Sequence, residues 1–284
     1  MNPRVLVTGA AGRLGCAVSE LLHHEGYDLV TTDIVDPGTV PYPFRQADLL
    51  DHSTASDLLE GTDVVVHLGN HPGLGEQPPQ IVFNQNTTMN CNVFQGAAEQ
   101  GVGRIVFAST LQLVGSHVDT RTVVAPPPLP TFPLRGDTIA RPANLYALSK
   151  VVAEQMLQYY SDRCGLECVA LRFPMLHKRD ASVGVNPGEE NAVDVVEGFT
   201  GLTYPDAANL VLAVIRSDLP GYRSYMAGTA HRHNGLTLEA LVRKFYPHLP
   251  PDIPDLIDNT TICRDTGWEI RDDYQNPSSQ DTRP

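Results

Sequence analysis

The sequence predicts an α/β fold, a doubly wound parallel sheet with helices on both faces, followed by a smaller C-terminal part. Three observations predict it. Apolar runs of strand length alternate with amphipathic helical segments as far as Phe173. Several of those runs are apolar at every position, as strands covered on both faces must be. A glycine cluster separates the first run from the first helical segment, the place where such folds bind ligands.

The elements follow in order. Arg4–Thr8 is a short apolar strand, and Leu14–Glu25 a helix with Leu14, Val18, Leu21 and Leu22 on one face. The strand Asp28–Thr32 ends at Asp33. Helical signal returns over Ser53–Glu60, and Asp63–Leu68 is the next strand. A long helix covers Gln80–Gln100. Arg104–Ser109 is too apolar to have a wet face, Leu145–Arg163 is helical, and Glu167–Phe173 is again a strand. This alternation requires crossovers between parallel strands, which gather ligands at the strands' carboxyl ends.

After Phe173 the rhythm changes. Residues 178–197 are polar and contain glycine, as a substrate-covering loop would be. Helices are expected at Pro205–Ser217 and Thr237–Phe245, with the strand Tyr222–Met226 between them. The proline-rich stretch 125–133 reads as an extended loop, and the chain from Asp272 to Pro284 as a loose tail. The expected division is a dinucleotide-binding domain over 1–174, a smaller substrate-binding region over 175–272 interleaved with it, and a tail over 273–284. No internal repeat is visible.

Composition narrows the function. Of 284 residues, 42% are hydrophobic and 19% charged, which supports a real core and argues against a disordered chain. A net charge of −13 argues against nucleic acid or an anionic membrane as partner. No apolar run approaches the ~18 residues of a membrane span, and the start lacks the marks of a signal peptide. The expected location is the cytoplasm. The five cysteines are scattered without a zinc-like set of neighbours, so reduced thiols and no metal are expected. The chain has only three lysines, Lys150, Lys178 and Lys244, so a lysine inside a motif carries more weight than usual.

Thr8-Gly9-Ala10-Ala11-Gly12-Arg13-Leu14-Gly15 lies between the first strand and first helix, where glycines permit a tight turn and the helix N-terminus offers amides to a pyrophosphate. The spacing is GxxGxxG rather than GxGxxG. Asp33 can accept both adenosine ribose hydroxyls and would repel a 2′-phosphate, which favours NAD over NADP. Asp48 could bind the adenine amino group, or simply cap a helix. Tyr146 and Lys150, four apart on a helix, share a face. A free tyrosine titrates near 10. An adjacent ammonium stabilises the phenolate, making Tyr146 a candidate base for an alcohol proton. Thr110 and Ser109 end a buried strand where the ligand is expected, so either hydroxyl could orient that alcohol; ordinary capping is the competing role.

These residues resemble the extended short-chain dehydrogenase/reductase family, also called the NAD-dependent epimerase/dehydratase family. The likeness runs through Thr8–Gly15, Asp33, Asp48-Leu49, His67-Leu68-Gly69-Asn70, Asn86, Ala108-Ser109-Thr110, Tyr146–Lys150, Arg172-Phe173-Pro174, Thr203–Ala208 and Thr266-Gly267-Trp268. It implies a Rossmann-type fold. By the same resemblance Gly9, Gly12, Arg13, Leu14 and Gly15 hold the pyrophosphate of NAD, Asp33 the ribose, and Asp48 and Leu49 the adenine. Leu68, Gly69 and Asn70 then line the cofactor cleft, with Asn86 and Phe173 in the same set, and Lys150 holds the nicotinamide ribose. Thr110 matches the catalytic hydroxyl, with Ser109 beside it. A homodimer through the helices near 80–100 and 145–163 is common in the family.

Val114 stands where the family often has an aromatic, residues 174–177 lack the asparagine of nucleotide-sugar epimerases, and the C-terminal part is short. The expectation is therefore an NAD-dependent dehydrogenase acting on a small carbohydrate, a free sugar or uronate, resembling uronate dehydrogenases in Val66–Gly69 and Arg104–Ser109. Thr110, Gln112 and Arg172 are the expected substrate contacts. Arg172 or Arg179 would meet a carboxylate, unless each serves a structural ion pair instead. The alternatives are a nucleotide-sugar epimerase or dehydratase, and a non-catalytic NAD-binding regulatory protein.

Overall fold

A computed structural model describes residues 2–73, 75, 77–119, 122, 128–179, 199–230 and 236–272. The chain runs β1 (Arg4–Thr8), α1 (Arg13–His24), β2 (Asp28–Asp33), β3 (Phe44–Gln46), α2 (His52–Leu59), β4 (Val64–His67), α3 (Pro79–Glu99), β5 (Arg104–Thr110), a 3-10 turn (Leu111–Val114), α4 (Leu145–Cys164), β6 (Glu167–Phe173) and β7 (Met175–His177). It continues through β8 (Thr200–Thr203), α5 (Tyr204–Arg216), β9 (Tyr222–Met226), β10 (Thr229–Ala230), α6 (Leu238–Phe245) and α7 (Thr260–Thr266).

Seven strands form one sheet in the order β3-β2-β1-β4-β5-β6-β9, every pair parallel. The chain moves outward from β1 to β3, then returns to start the other half at β4. This reversal opens a crevice at the carboxyl ends of β1 and β4. The continuous apolar strands have the reason expected. On one face Val5, Val7 and Val66 meet Val18 and Leu22 of α1 and Leu210, Val211 and Val214 of α5. On the other, Leu6, Val65, Ile105 and Phe107 meet Leu59, Phe94, Ala97 and Leu157 of α2, α3 and α4. Both faces are dry, so alternation is lost.

The C-terminal part packs Phe199, Tyr246 and Leu256 against Leu113 and Phe132, which follow β5, in a third apolar cluster beside a small sheet ordered β10-β8-β7. Strand β9 belongs to the large sheet, paired with β6. The strands β3, β7, β8 and β10 have two to four residues each, too few to register a period of two, and the sequence reading passed over them. Helix ends differ from expectation by a residue or so, within the fraying of any terminus. The capping role considered for Asp48 falls instead to Asp51, whose Oδ1 accepts from Thr54 N at 2.7 Å to start α2. Most of the polar stretch 178–197, residues 125–127 of the proline-rich loop, and the tail beyond Asp272 lie outside the described residues. No helix among the described residues is long and apolar enough to cross a membrane.

Candidate active site

A cleft of about 1010 Å³ lies across the carboxyl ends of β1, β2, β4, β5 and β6. Its floor is the turn from β1 into α1. Gly9 takes a φ of +70°, which a side chain would strain, and a Cβ at Gly15 would overlap the Gly9 carbonyl. A Cβ on Gly69 would come within 2.9 Å of Leu49 Cδ1. These glycines leave a channel of backbone width with the α1 N-terminus at its end, a cradle that fits a pyrophosphate. Gly9, Gly12, Arg13, Leu14 and Gly15 line it. Asp33, at the end of β2, also lines the cleft, and its Oδ2 accepts from Ala11 N at 3.0 Å, which ties the glycine turn to the second strand. Asp48, Leu49, Leu68, Gly69, Asn70 and Phe173 complete the walls.

At the other end stand Tyr146 and Lys150. Asn144 caps α4, its Oδ1 accepting from Ala147 N at 2.7 Å, while its Nδ2 donates to His117 O at 2.8 Å. The first turn is thereby fixed, and both side chains enter the cleft. Lys150 Nζ donates to Ala108 O and to Asn70 Oδ1, each at 2.8 Å, and lies 4.5 Å from the Phe107 ring centre and 5.8 Å from that of Tyr146. Burial pushes this lysine down to about 7, against the opposing pull of Glu154 one turn along. Thr110 lines the cleft at the end of β5, and its Oγ1 accepts from Gln112 N at 3.2 Å. Gln112 lines it too.

Three expected residues are used differently. Ser109 touches the cleft, but its Oγ donates to Glu154 Oε1 at 2.6 Å. Arg172 does not line the cleft. Its Nε and Nη2 grip Glu154 at 3.0 and 2.7 Å, and its Nη1 donates to Thr138 O at 2.8 Å, so each of its nitrogens is engaged within the protein, away from the cleft. The reason is the strand's alternation: one face of β6 looks at α4, and Arg172 is on it. Asn86 is likewise fully buried outside the cleft. It clasps the His71 backbone, accepting from its N–H at 2.8 Å and donating to its C=O at 3.3 Å. Arg179 pairs with Asp272 at 2.9 Å.

The sequence reading missed several cleft residues: His71, Gln77, Gln85, Pro174, Met175, Leu176 and Tyr204. His71, Gln77 and Pro174 sit on loops beyond strand ends, where no periodicity marks them; Met175 and Leu176 belong to the short strand β7, Tyr204 opens α5 and Gln85 lies on α3. Glu154 was within reach of the sequence, since it repeats the Tyr146–Lys150 spacing once more along the same helix face.

A family model for the NAD-dependent epimerase/dehydratase family matches residues 5–177, the stretch that builds the sheet and the cleft. The chain belongs to that family. NAD is therefore the cofactor. Among relatives, a uronate dehydrogenase of Pseudomonas syringae pv. tomato is 32% identical over 173 residues, 60% of this chain and 58% of that protein. The match thus spans less than two thirds of that relative's length. A uronate dehydrogenase of Agrobacterium fabrum is 30% identical over 77% of this chain and 74% of its own. Among solved structures, a UDP-glucose 4-epimerase from Thermotoga maritima superposes with a TM-score of 0.70 at 19% identity, covering 94% of each chain, a likeness of fold.

Proposed function

We propose that the protein is an NAD-dependent dehydrogenase that oxidises a hydroxyl group of a small sugar or uronate. The observation that carries this reading is the convergence of Tyr146, Lys150 and Thr110 on the cleft that begins at the glycine turn. When bound, NAD supplies the acceptor for the hydride that leaves the carbinol carbon. Tyr146, as phenolate, takes the proton from the hydroxyl on that carbon. Lys150, charged, stabilises the phenolate and holds the nicotinamide ribose. Thr110 orients the substrate hydroxyl. It is preferred to Ser109 because the Ser109 proton is already given to Glu154.

The small-carbohydrate reading draws on the uronate dehydrogenases among the relatives. Gln112 remains a proposed substrate contact, while Arg172 does not. The same reading has the protein acting in the cytoplasm and pairing as a homodimer through α3 and α4, whose packed pair leaves Ile81 and Tyr159 exposed.

Purified protein is to be screened with NAD against free aldoses, uronates and nucleotide sugars. Steady NADH release on a free sugar or uronate is the expected result. Interconversion of a nucleotide sugar without NADH release would replace the dehydrogenase with an epimerase. Neither reaction on any member of the panel would count against both.

A further inference from the structure

Lys150 is the only lysine of the three that is buried, and its ammonium is met by one end of a polar chain that no part of the mechanism above uses. The direction of each hydrogen bond in that chain can be worked out. Thr8 Oγ1 accepts from Leu68 N at 3.2 Å and Gly69 N at 3.0 Å, so its own proton goes to His67 Nδ1, 2.7 Å away. His67 is fully buried between β1 and α3, and burial, with the nearby Lys150 charge, pushes it down to about 3. The ring is therefore neutral, with its one proton on Nε2, and that proton is donated to Asn90 Oδ1 at 3.0 Å.

The same Asn90 oxygen accepts from Asn70 Nδ2 at 2.9 Å, and Asn70 Nδ2 also donates to Gly69 O at 2.8 Å. With both amide protons engaged, Asn70 has only its oxygen to offer, and Lys150 Nζ donates to it at 2.8 Å. Turning either amide over would set nitrogen against nitrogen. Every direction in the chain is thus fixed, and donation converges on the Asn90 oxygen, from Thr8 through His67 on one side and from Lys150 through Asn70 on the other.

We propose that Asn70, held in orientation by Asn90, is a positioning residue that keeps the Lys150 ammonium charged and aimed into the cleft. A buried lysine whose acceptors were lost would shed its proton and could no longer stabilise a phenolate. Among the described residues, the charged or titratable groups facing Lys150 are Glu154 and Tyr146 on its own helix and neutral His67 from β4. Arg172 of β6 is occupied by Glu154. Asn70 is the neutral acceptor on the cleft side of this set. The role assigned to Lys150 rests on the proposed function; the effect of Asn70 on its charge does not.

The test is a direct titration of Lys150 in the cofactor-free protein, by carbon NMR of lysine labelled at Cε. Three lysines give three signals, and Lys178 and Lys244 are exposed. Asn70→Leu, removing a charge-assisted hydrogen bond, is expected to lower the Lys150 midpoint by about one pH unit. Asn90→Leu should lower it by less, and Asn70→Asp should raise it. An unchanged midpoint in folded Asn70→Leu overturns the proposal. If that variant does not fold, the near-isosteric Asn70→Asp decides, and an unshifted midpoint there overturns it equally. A shifted midpoint in a protein whose Tyr146→Phe variant keeps full activity would leave this inference standing while the proposed mechanism fails.

Discussion

Helix α4 carries two polar clusters one turn apart on the same face. Tyr146 and Lys150 enter the cleft, whereas Glu154 turns beneath the ends of β5 and β6 to meet Ser109, Arg172 and the Tyr222 hydroxyl, the last at 3.4 Å. In the second cluster each strong donor has a matched acceptor, and Glu154 and Arg172 are both 8% exposed at the side chain. The first cluster is open in that both of its side chains line the cleft. Residue type does not separate the two, since both hold a cation, a tyrosine and a hydroxyl. What separates them is place: Tyr146 and Lys150 line the cleft, and Glu154 and Arg172 do not.

The comparison can be broken by opening the closed cluster. Arg172→Met leaves the Glu154 charge buried without its partner and should cost roughly 3–5 kcal/mol of stability in urea unfolding. Adding Glu154→Leu to it should recover much of that loss, because the uncompensated charge is gone. If Arg172→Met instead raised KM for the sugar at unchanged stability, the arginine would belong to the substrate after all. In the open cluster, Lys150→Met should lower kcat by roughly a hundredfold with the fold intact. The smallest pair sharpens the contrast between neighbours. Thr110→Val should lower kcat/KM by roughly tenfold, less than the loss of a group that itself transfers the proton. Ser109→Ala should cost about 1 kcal/mol of stability with little change in turnover.

Much of this was legible in the sequence, and the limit was physical. The sheet could be read because strands dry on both faces, such as Val5–Val7 and Ile105–Phe107, stay apolar throughout. Much of the lining of the cleft could be read because its parts are local: a glycine turn of eight residues, an aspartate ending the next strand, and a tyrosine and lysine one helical turn apart. The misplacement of Arg172 has the opposite cause. Its partner Glu154 is 18 residues away and the Ser109 that shares it 45 residues from Glu154, so only the folded chain brings the three together. The polar chain from Thr8 to Asn70 was hidden for the same reason: it crosses β1, β4 and α3. The loop residues His71 and Gln77 carry no periodic signal at all.

The central claim is that the open cluster moves the proton. It is tested most directly by comparing the wild-type protein with Tyr146→Phe on the best sugar or uronate from the screen, with NAD affinity measured by calorimetry in parallel. The expected result is unchanged NAD binding and a fall in NADH formation of roughly a thousandfold. NADH formation at the wild-type rate in Tyr146→Phe would contradict the account.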